Sequence, residues 1–206
     1  DDDIDIAMPR EDYKRFVKYC MENETEFKLI SVETDDRHAY IFAKACDKNT
    51  YIVEDVSNPK NIDMGVYVDI FPIDGLGMTY EEAKKEFKKT RFKRELFEAK
   101  NWKRFFRSKT KSWKYEPIRF AFYILSRFYN SKKLVYSIQN KLEARDFKQC
   151  TYAGVVGSTY REREIMEREI YEGFTKMTFE GEEFSVIKSY DKYLKTIYND
   201  YMKLPP

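Results

Sequence analysis

Asp1-Asp2-Asp3-Ile4-Asp5-Ile6, running on into Ala7-Met8-Pro9, sets acidic against apolar residues in alternation at the start of a 206-residue chain. Alternation with period two is the pattern of a half-buried strand. Alternate side chains on a strand share a face, so Asp1, Asp3 and Asp5 point one way while Ile4 and Ile6 point into the core. Carboxylates about 6.6–6.8 Å apart along one face repel each other unless a cation neutralises them. Magnesium, or manganese in its place, takes oxygen ligands and shares them with substrate phosphates. The stretch therefore reads as a metal site, against the plainer reading of a solvated acidic end. An EF-hand loop does not fit, because Ile6 stands where that loop needs glycine.

The next informative run is Gly65-Val66-Tyr67-Val68-Asp69-Ile70-Phe71-Pro72-Ile73-Asp74-Gly75. Residues 66–71 read as a strand, and a carboxylate inside such a run sits at a strand end or is paired with a cation. If this strand neighbours the first, Asp69 is the remaining carboxylate of the metal site. Pro72, Gly75 and Gly77 read as the end of the strand, with Asp74 as a turn residue.

Around these two runs the pattern mixes strands and helices. Pro9 opens a helix over 9–23, with Glu11 and Asp12 in its first turn and Tyr13, Phe16, Val17 and Cys20 at helical spacing. Residues 27–33, 39–46 and 51–54 read as strands. Thr79 and Glu82 form a capping box that starts a helix over 80–100. Residues 117–129 and 131–147 are further helices, 174–187 a hairpin about Gly181, and 190–201 the last helix. The fold class is α+β: a mixed sheet flanked by helices in one domain over 1–206, with a basic helical region at 79–147.

Composition bounds the function. Aromatic residues make up 17% of the chain and charged residues 36%, a folded domain rather than a disordered one. The net charge of +2 conceals a division. Residues 84–119 carry 15 Lys and Arg against 4 Asp and Glu, a net of +11, and the remainder carries −9. The basic middle holds Trp102, Phe105, Phe106 and Trp113, and reads either as a solvated helical face or as a surface for anionic membrane. The acidic remainder argues against nucleic acid. Cys20, Cys46 and Cys150 have neither the number nor the spacing of a disulfide framework or zinc site. The lone His38 follows a turn and reads as a surface residue. No apolar run reaches the length of a membrane span, and no signal peptide is visible.

Four blocks carry a resemblance: residues 1–16 (DDDIDIAMPREDYKRF), 42–50 (FAKACDKNT), 65–76 (GVYVDIFPIDGL) and 179–206, which ends YDKYLKTIYNDYMKLPP. In this order they resemble the LicD family, bacterial phosphocholine transferases similar to the fukutin-type ribitol-phosphate transferases. The resemblance implies a nucleotidyltransferase-like sheet. It also implies metal-dependent transfer of a phospho-alcohol, typically phosphocholine, from a CDP-linked donor to a sugar hydroxyl. The acceptor would be a cell-surface glycan or its lipid-linked precursor, such as lipopolysaccharide or teichoic acid. Asp3 and Asp5 map to the metal-binding pair and Asp69 to the later carboxylate and base, with Asp1 a further ligand. Lys44 and Thr50 fall in the block expected to contact the donor phosphates, and Lys44 also reads as a plain strand lysine. Such an enzyme would work in the cytoplasm, at the inner face of the membrane. Family members carry a glycine-containing segment before the acidic pair, so the amino-terminal part of the fold is expected to lie upstream of Asp1. The alternatives are a nucleotide-sugar glycosyltransferase, whose DxD motif also binds metal and diphosphate, and a non-catalytic membrane-associated relative.

Overall fold

The computed structural model describes residues 4–35, 37–38, 40–53, 62–108 and 112–203. Asp1, Asp2 and Asp3 lie outside the described residues. The elements run β1 (Asp5–Pro9), α1 (Arg10–Glu22), β2 (Phe27–Ile30), β3 (Ala43–Asp47), β4 (Tyr67–Gly77), α2 (Tyr80–Lys100), α3 (Glu116–Ser126), α4 (Ser131–Leu142), β5 (Tyr152–Gly154), β6 (Met166–Glu167), β7 (Phe174–Phe179), β8 (Glu182–Ile187) and α5 (Tyr190–Tyr198). The class is mixed α+β. Among the described residues no helix is long and apolar enough to cross a membrane.

β4 is the hub. It pairs in parallel with β1, and antiparallel with β3 along its first half and β5 along its second. β2 extends the sheet beyond β3, and β6 extends it beyond β5. The strand expected to stop at Phe71 runs on to Gly77, and the reason is local. Pro72 falls after the last β3 pair, at Ile70, and before the first β5 pair, at Asp74. Its missing N–H is tolerated at such a gap. Gly75 serves a close approach rather than a turn: a Cβ there would lie 2.9 Å from the Asp146 carbonyl oxygen.

Alternation along β4 assigns its two faces. Ile70 packs with Tyr13 and Val17 of α1, Leu29 of β2 and Ala43 of β3. Tyr67, Asp69, Phe71 and Ile73 point the other way. Beyond β4, Leu76 joins Phe87, Ile138 and Val156 in a core between the sheet and helices α2 and α4. Thr79 caps α2 as expected, accepting from the Glu82 N–H at 3.2 Å. Glu82 reaches back to the N–H of Met78, one residue short of the reciprocal partner. Residue 52 makes only an isolated bridge to Met64, where a strand was expected over 51–54. The hairpin β7–β8 turns at Glu180-Gly181, both with positive φ, as a tight two-residue connection requires.

Two buried groups correct the sequence reading. Asp74 is not a turn residue. It is fully enclosed on the α1 side of β4, where Arg10 at the start of α1 grips it with two bonds, Nε–Oδ1 at 2.7 Å and Nη2–Oδ2 at 2.9 Å. A fork of this kind satisfies both carboxylate oxygens and fixes the angle at which α1 leaves β1. His38 is not on the surface either. It is buried, with Nε2 2.6 Å from the Phe42 carbonyl oxygen, and burial pulls its pKa down to about 4.

Removing one partner of a buried pair strands the other charge, a loss of about 3–5 kcal/mol. Urea unfolding of Arg10→Leu and Asp74→Leu should each show a loss of that size. The double variant should lose clearly less than the two singles added together, and simple additivity would contradict the pairing. For His38 the unfolded state binds a proton below about pH 6.5 that the native state refuses until about pH 4. Stability should therefore fall as pH drops through that window, by on the order of 3 kcal/mol. The same titration on His38→Phe should be flatter there.

Candidate functional site

Strand register builds the site. Asp5 of β1 lies opposite Asp69 of β4, and Asp69 lies opposite Lys44 of β3. Residues at paired positions project from the same face of a sheet. Asp5, Asp69 and Lys44 thus form one row across three strands, on the face turned away from α1.

Lys44 is not a surface lysine. Its side chain is 2% exposed, against 17% for Asp69, and Nζ sits 2.7 Å from Asp69 Oδ1. Three rings enclose the ammonium: Tyr67 with its centroid at 3.5 Å, Tyr40 at 4.4 Å and Phe42 at 5.4 Å. An ammonium taken out of water needs such compensation, here one carboxylate and three aromatic faces. The rings continue outward, Phe42 stacking on Phe71 at 4.3 Å, and form one wall of a cleft.

The cleft has a volume of about 1610 Å³ and is reached by Asp5, Asp69 and Phe71 from the sheet and by Tyr40 and Phe42 from the segment before β3. That exceeds the roughly 300–1,000 Å³ of a single small-molecule pocket, and leaves room for two substrates side by side. The opposite wall comes from α2, the segment 157–164 and α5. It brings Arg91, Arg94 and Arg161, with Glu95, Glu98 and Glu162 among them. Arg94 is committed to the fold: it donates to the Val156 and Phe87 carbonyls and to Thr90 Oγ1. Arg161 pairs loosely with Glu95 at 3.7 Å.

Glu164, Tyr193 and Tyr198 also line this cleft, and sequence reasoning missed them. Glu164 is buried, and burial pushes its carboxyl pKa up while Tyr193 Oη donates to Oε2 at 3.4 Å. Burial likewise raises Tyr193 and Tyr198, and the charge of Asp5 adds to both shifts, which puts their phenols within its field. Both phenols stay protonated donors. Arg161-Glu162-Arg163-Glu164 looks like a solvated charge run, and only the tight turn at 161–164 swings its last member inward. The one available signal was the tyrosine-dense segment 190–201.

The remaining expected site residues fall as follows. Thr50 closes a loop: its Oγ1 accepts from the Val66 N–H at 2.8 Å, over a place where Gly65 nearly touches the Asp47 carbonyl. That bond gives Thr50 a structural role at this position. Asp1 and Asp3 lie outside the described residues. Ile4 and Ile6 are exposed instead of buried, and Ile6 lines the cleft, because β1 is covered only by its pairing with β4. Among the described residues no group of three or more His, Cys, Asp or Glu gathers into a metal cluster. Asp5 and Asp69 are two carboxylates from adjacent strands on the cleft face. All-oxygen donors of that kind fit a hard divalent cation.

No family model matches the chain, and no solved structure does. A curated relative, the lipopolysaccharide cholinephosphotransferase LicD of Haemophilus influenzae, is 31% identical over 214 residues, covering 100% of this chain and 76% of the relative. The chain belongs to the LicD family. Its similarity extends through the basic middle as well as through the four blocks. With the family comes the reaction class, transfer of a substituted phosphate group.

The Lys44–Asp69 pair is unequal, which gives a directional test. Asp69→Asn leaves the ammonium in the drier position, and should cost about 3 kcal/mol in urea unfolding. Lys44→Met leaves only a carboxylate that cleft water can reach, and should cost about 1 kcal/mol. The reverse order would mean that the rings alone carry the lysine.

Proposed function

We propose that the chain transfers phosphocholine from a CDP-linked donor to a sugar hydroxyl of a lipopolysaccharide-type glycan, on the cytoplasmic side of the membrane. The observation that carries the proposal is the row Asp5–Asp69–Lys44 opening on a cleft large enough for donor and acceptor together. The mixed sheet around this row is read as nucleotidyltransferase-like. Asp5 and Asp69, with Asp3 from the same acidic strand, would hold Mg²⁺ or Mn²⁺. Such a cation neutralises the donor diphosphate and favours attack at phosphorus.

The residues of the chain do the rest. Lys44 Nζ fixes the Asp69 side chain through Oδ1 and keeps its carboxylate aimed at the cleft. Asp69 takes the proton of the acceptor hydroxyl as that oxygen closes on the phosphorus bearing choline. The new P–O bond forms, the bond to the bridging oxygen breaks, and CMP leaves. Arg91 and Arg161 on the facing wall stand where they can bind departing phosphate oxygens, and the phenols of Tyr193 and Tyr198 offer neutral donors. In this reading Lys44 positions the base and does not itself contact phosphate.

The test is the identity of the released nucleotide. The protein is incubated with CDP-choline, CDP-ribitol, CDP-glycerol or a UDP-sugar, with Mg²⁺ and a lipopolysaccharide acceptor. Magnesium-dependent CMP release from CDP-choline is expected. UDP release would make the chain a glycosyltransferase, and release of pyrophosphate from CTP would make it a nucleotidyltransferase. Asp5 is exposed and Asp5→Asn keeps its size and shape, so this variant should lose at least a thousandfold in kcat with a melting temperature close to the parent's. Turnover within tenfold of the parent would remove Asp5 from the site.

A further inference from the structure

Helix α3 packs through Phe122 and Tyr123 but turns much of its apolar surface outward. A helix on a globular surface normally turns its apolar stripe to the core. In α3 the two buried residues are Arg119 and Ser126. Ile118, Phe120, Ile124 and Leu125 are exposed, and Phe128, just past the helix end, is 83% exposed. Pro117, Ala121, Ile124 and Phe128 follow at i, i+4, i+7 and i+11, one stripe along one side, with Ile118 and Leu125 beside it.

The orientation is locked from within. Arg119 Nη1 bonds Glu116 at 2.8 Å and the Phe106 carbonyl at 3.0 Å, and the guanidinium lies over the rings of Trp102 and Phe106 at 4.8 and 5.1 Å. Phe122 of the same helix packs against the core of Val32, Leu96, Phe97, Leu134 and Val135. Rotating α3 to bury Ile124 and Phe128 would give up that packing, the bond to the Phe106 carbonyl and both ring contacts. The apolar stripe is thus held toward the outside, and a patch of that kind on a soluble domain marks a contact surface.

The charge around the stripe identifies what it contacts. Between Lys100 and Lys133 the sequence holds eleven Lys and Arg against the single Glu116, and Arg119 already neutralises that one. Arg104, Arg107, Lys114 and Lys133 are exposed around the helix. Trp113 and Tyr115 stand exposed at one end of the stripe, Phe128 and Tyr129 at the other. A second copy of the chain would bring the same positive field against itself. A nucleic acid would meet the cations but leave the Ile and Leu stripe in water. An anionic bilayer satisfies both: the stripe enters the headgroup–acyl boundary, the cations meet acidic headgroups, and the aromatic ends sit at the interface.

We propose that the α3 face, from Trp113 to Phe128, docks the protein flat on anionic lipid. At about 16 Å, α3 lies in the interface and does not span it. Trp102 and Phe106, which hold Arg119 from below, also line the cleft, so docking brings the cleft rim to the headgroup layer. The inference stands apart from the identity of the donor.

The experiment is flotation with vesicles of phosphatidylcholine alone and of phosphatidylcholine with 30% phosphatidylglycerol, at low and at high sodium chloride. Binding should need phosphatidylglycerol and fall at least tenfold in high salt. Ile124→Ser/Phe128→Ser changes only exposed side chains; it should keep the parent melting temperature and lose at least tenfold in binding. Lys114→Glu/Lys133→Glu should lose binding to the anionic vesicles in the same way. Trp113 emission should shift to the blue on vesicles, and the shift should vanish in Trp113→Phe. Three results would each overturn the proposal: full binding by Ile124→Ser/Phe128→Ser, equal binding to neutral vesicles at any salt, or a dimer in sedimentation that this double variant abolishes.

Discussion

A carboxylate near the start of the central strand is the constraint on which the cleft side of the structure depends. Asp69 projects from a strand bordered on both edges, on a face lined by rings, and the Lys44 ammonium held out of water beside it would be costly without that carboxylate. Lys44 reaches it from the neighbouring strand. It can do so only at one pairing of β3 with β4, since a slip of one residue would turn every side chain of β3 to the other face. The register that sets Ala43 and Ala45 against α1 is the same one that sets Lys44 beside Asp69. Apolar packing and ion pairing therefore select a single alignment. Lys44 in turn needs the rings of Tyr40 and Phe42, which ties the segment before β3 to the cleft wall.

β4 carries a second carboxylate five residues on, and an odd spacing puts it on the opposite face. Asp74 and Asp69 are each held by one basic side chain, yet they do different work, and exposure decides which. The Arg10–Asp74 fork is closed on all sides and uses both carboxylate oxygens, so it acts as a staple between β4 and the first helix. The Lys44–Asp69 pair is buried at the ammonium end and open at the carboxylate end. A pair open at its acid end holds a carboxylate in a fixed direction while leaving it within reach of a ligand. A basic side chain on an aspartate thus closes a staple on one face and leaves a carboxylate facing the cleft on the other.

Legibility in the sequence followed how local the governing physics was. The first helix, the capped start of α2 and the hairpin at Gly181 depend on spacing and turn chemistry within a few residues, and they were readable. The length of β4 was not, because Pro72, Asp74 and two glycines spell a turn to any local rule. Their actual roles come from partners far along the chain: a gap between two neighbouring strands, Arg10, and the backbone at Asp146. His38 failed for the same reason, since only the packed segment around Phe42 buries it. Of the site, Asp5, Lys44 and Asp69 could be named from motifs, but their common row is a property of strand pairing. Glu164 was hidden, because a charged run shows nothing of which member a tight turn will bury. The loop-closing bond of Thr50 was not legible, because a hydroxyl that closes a loop and one that meets a phosphate look alike in sequence.

The division of charge along the chain becomes a division in space. The acidic amino-terminal strand and β4 supply carboxylates to one side of the cleft, and the basic helical middle supplies Arg91 to the other. In the proposed reaction a diphosphate donor entering between them would meet repulsion from the row of Asp5 and Asp69, and Glu95, Glu98 and Glu162 offset part of the positive charge on the facing wall. A cation accompanying the donor would offset that repulsion, since two anionic groups brought within a few ångströms repel by several kcal/mol at an effective dielectric of about 20. Lys44 is turned toward Asp69 and walled in by rings. On the proposed reaction the cation, rather than this enclosed lysine, would carry the neutralisation of the donor.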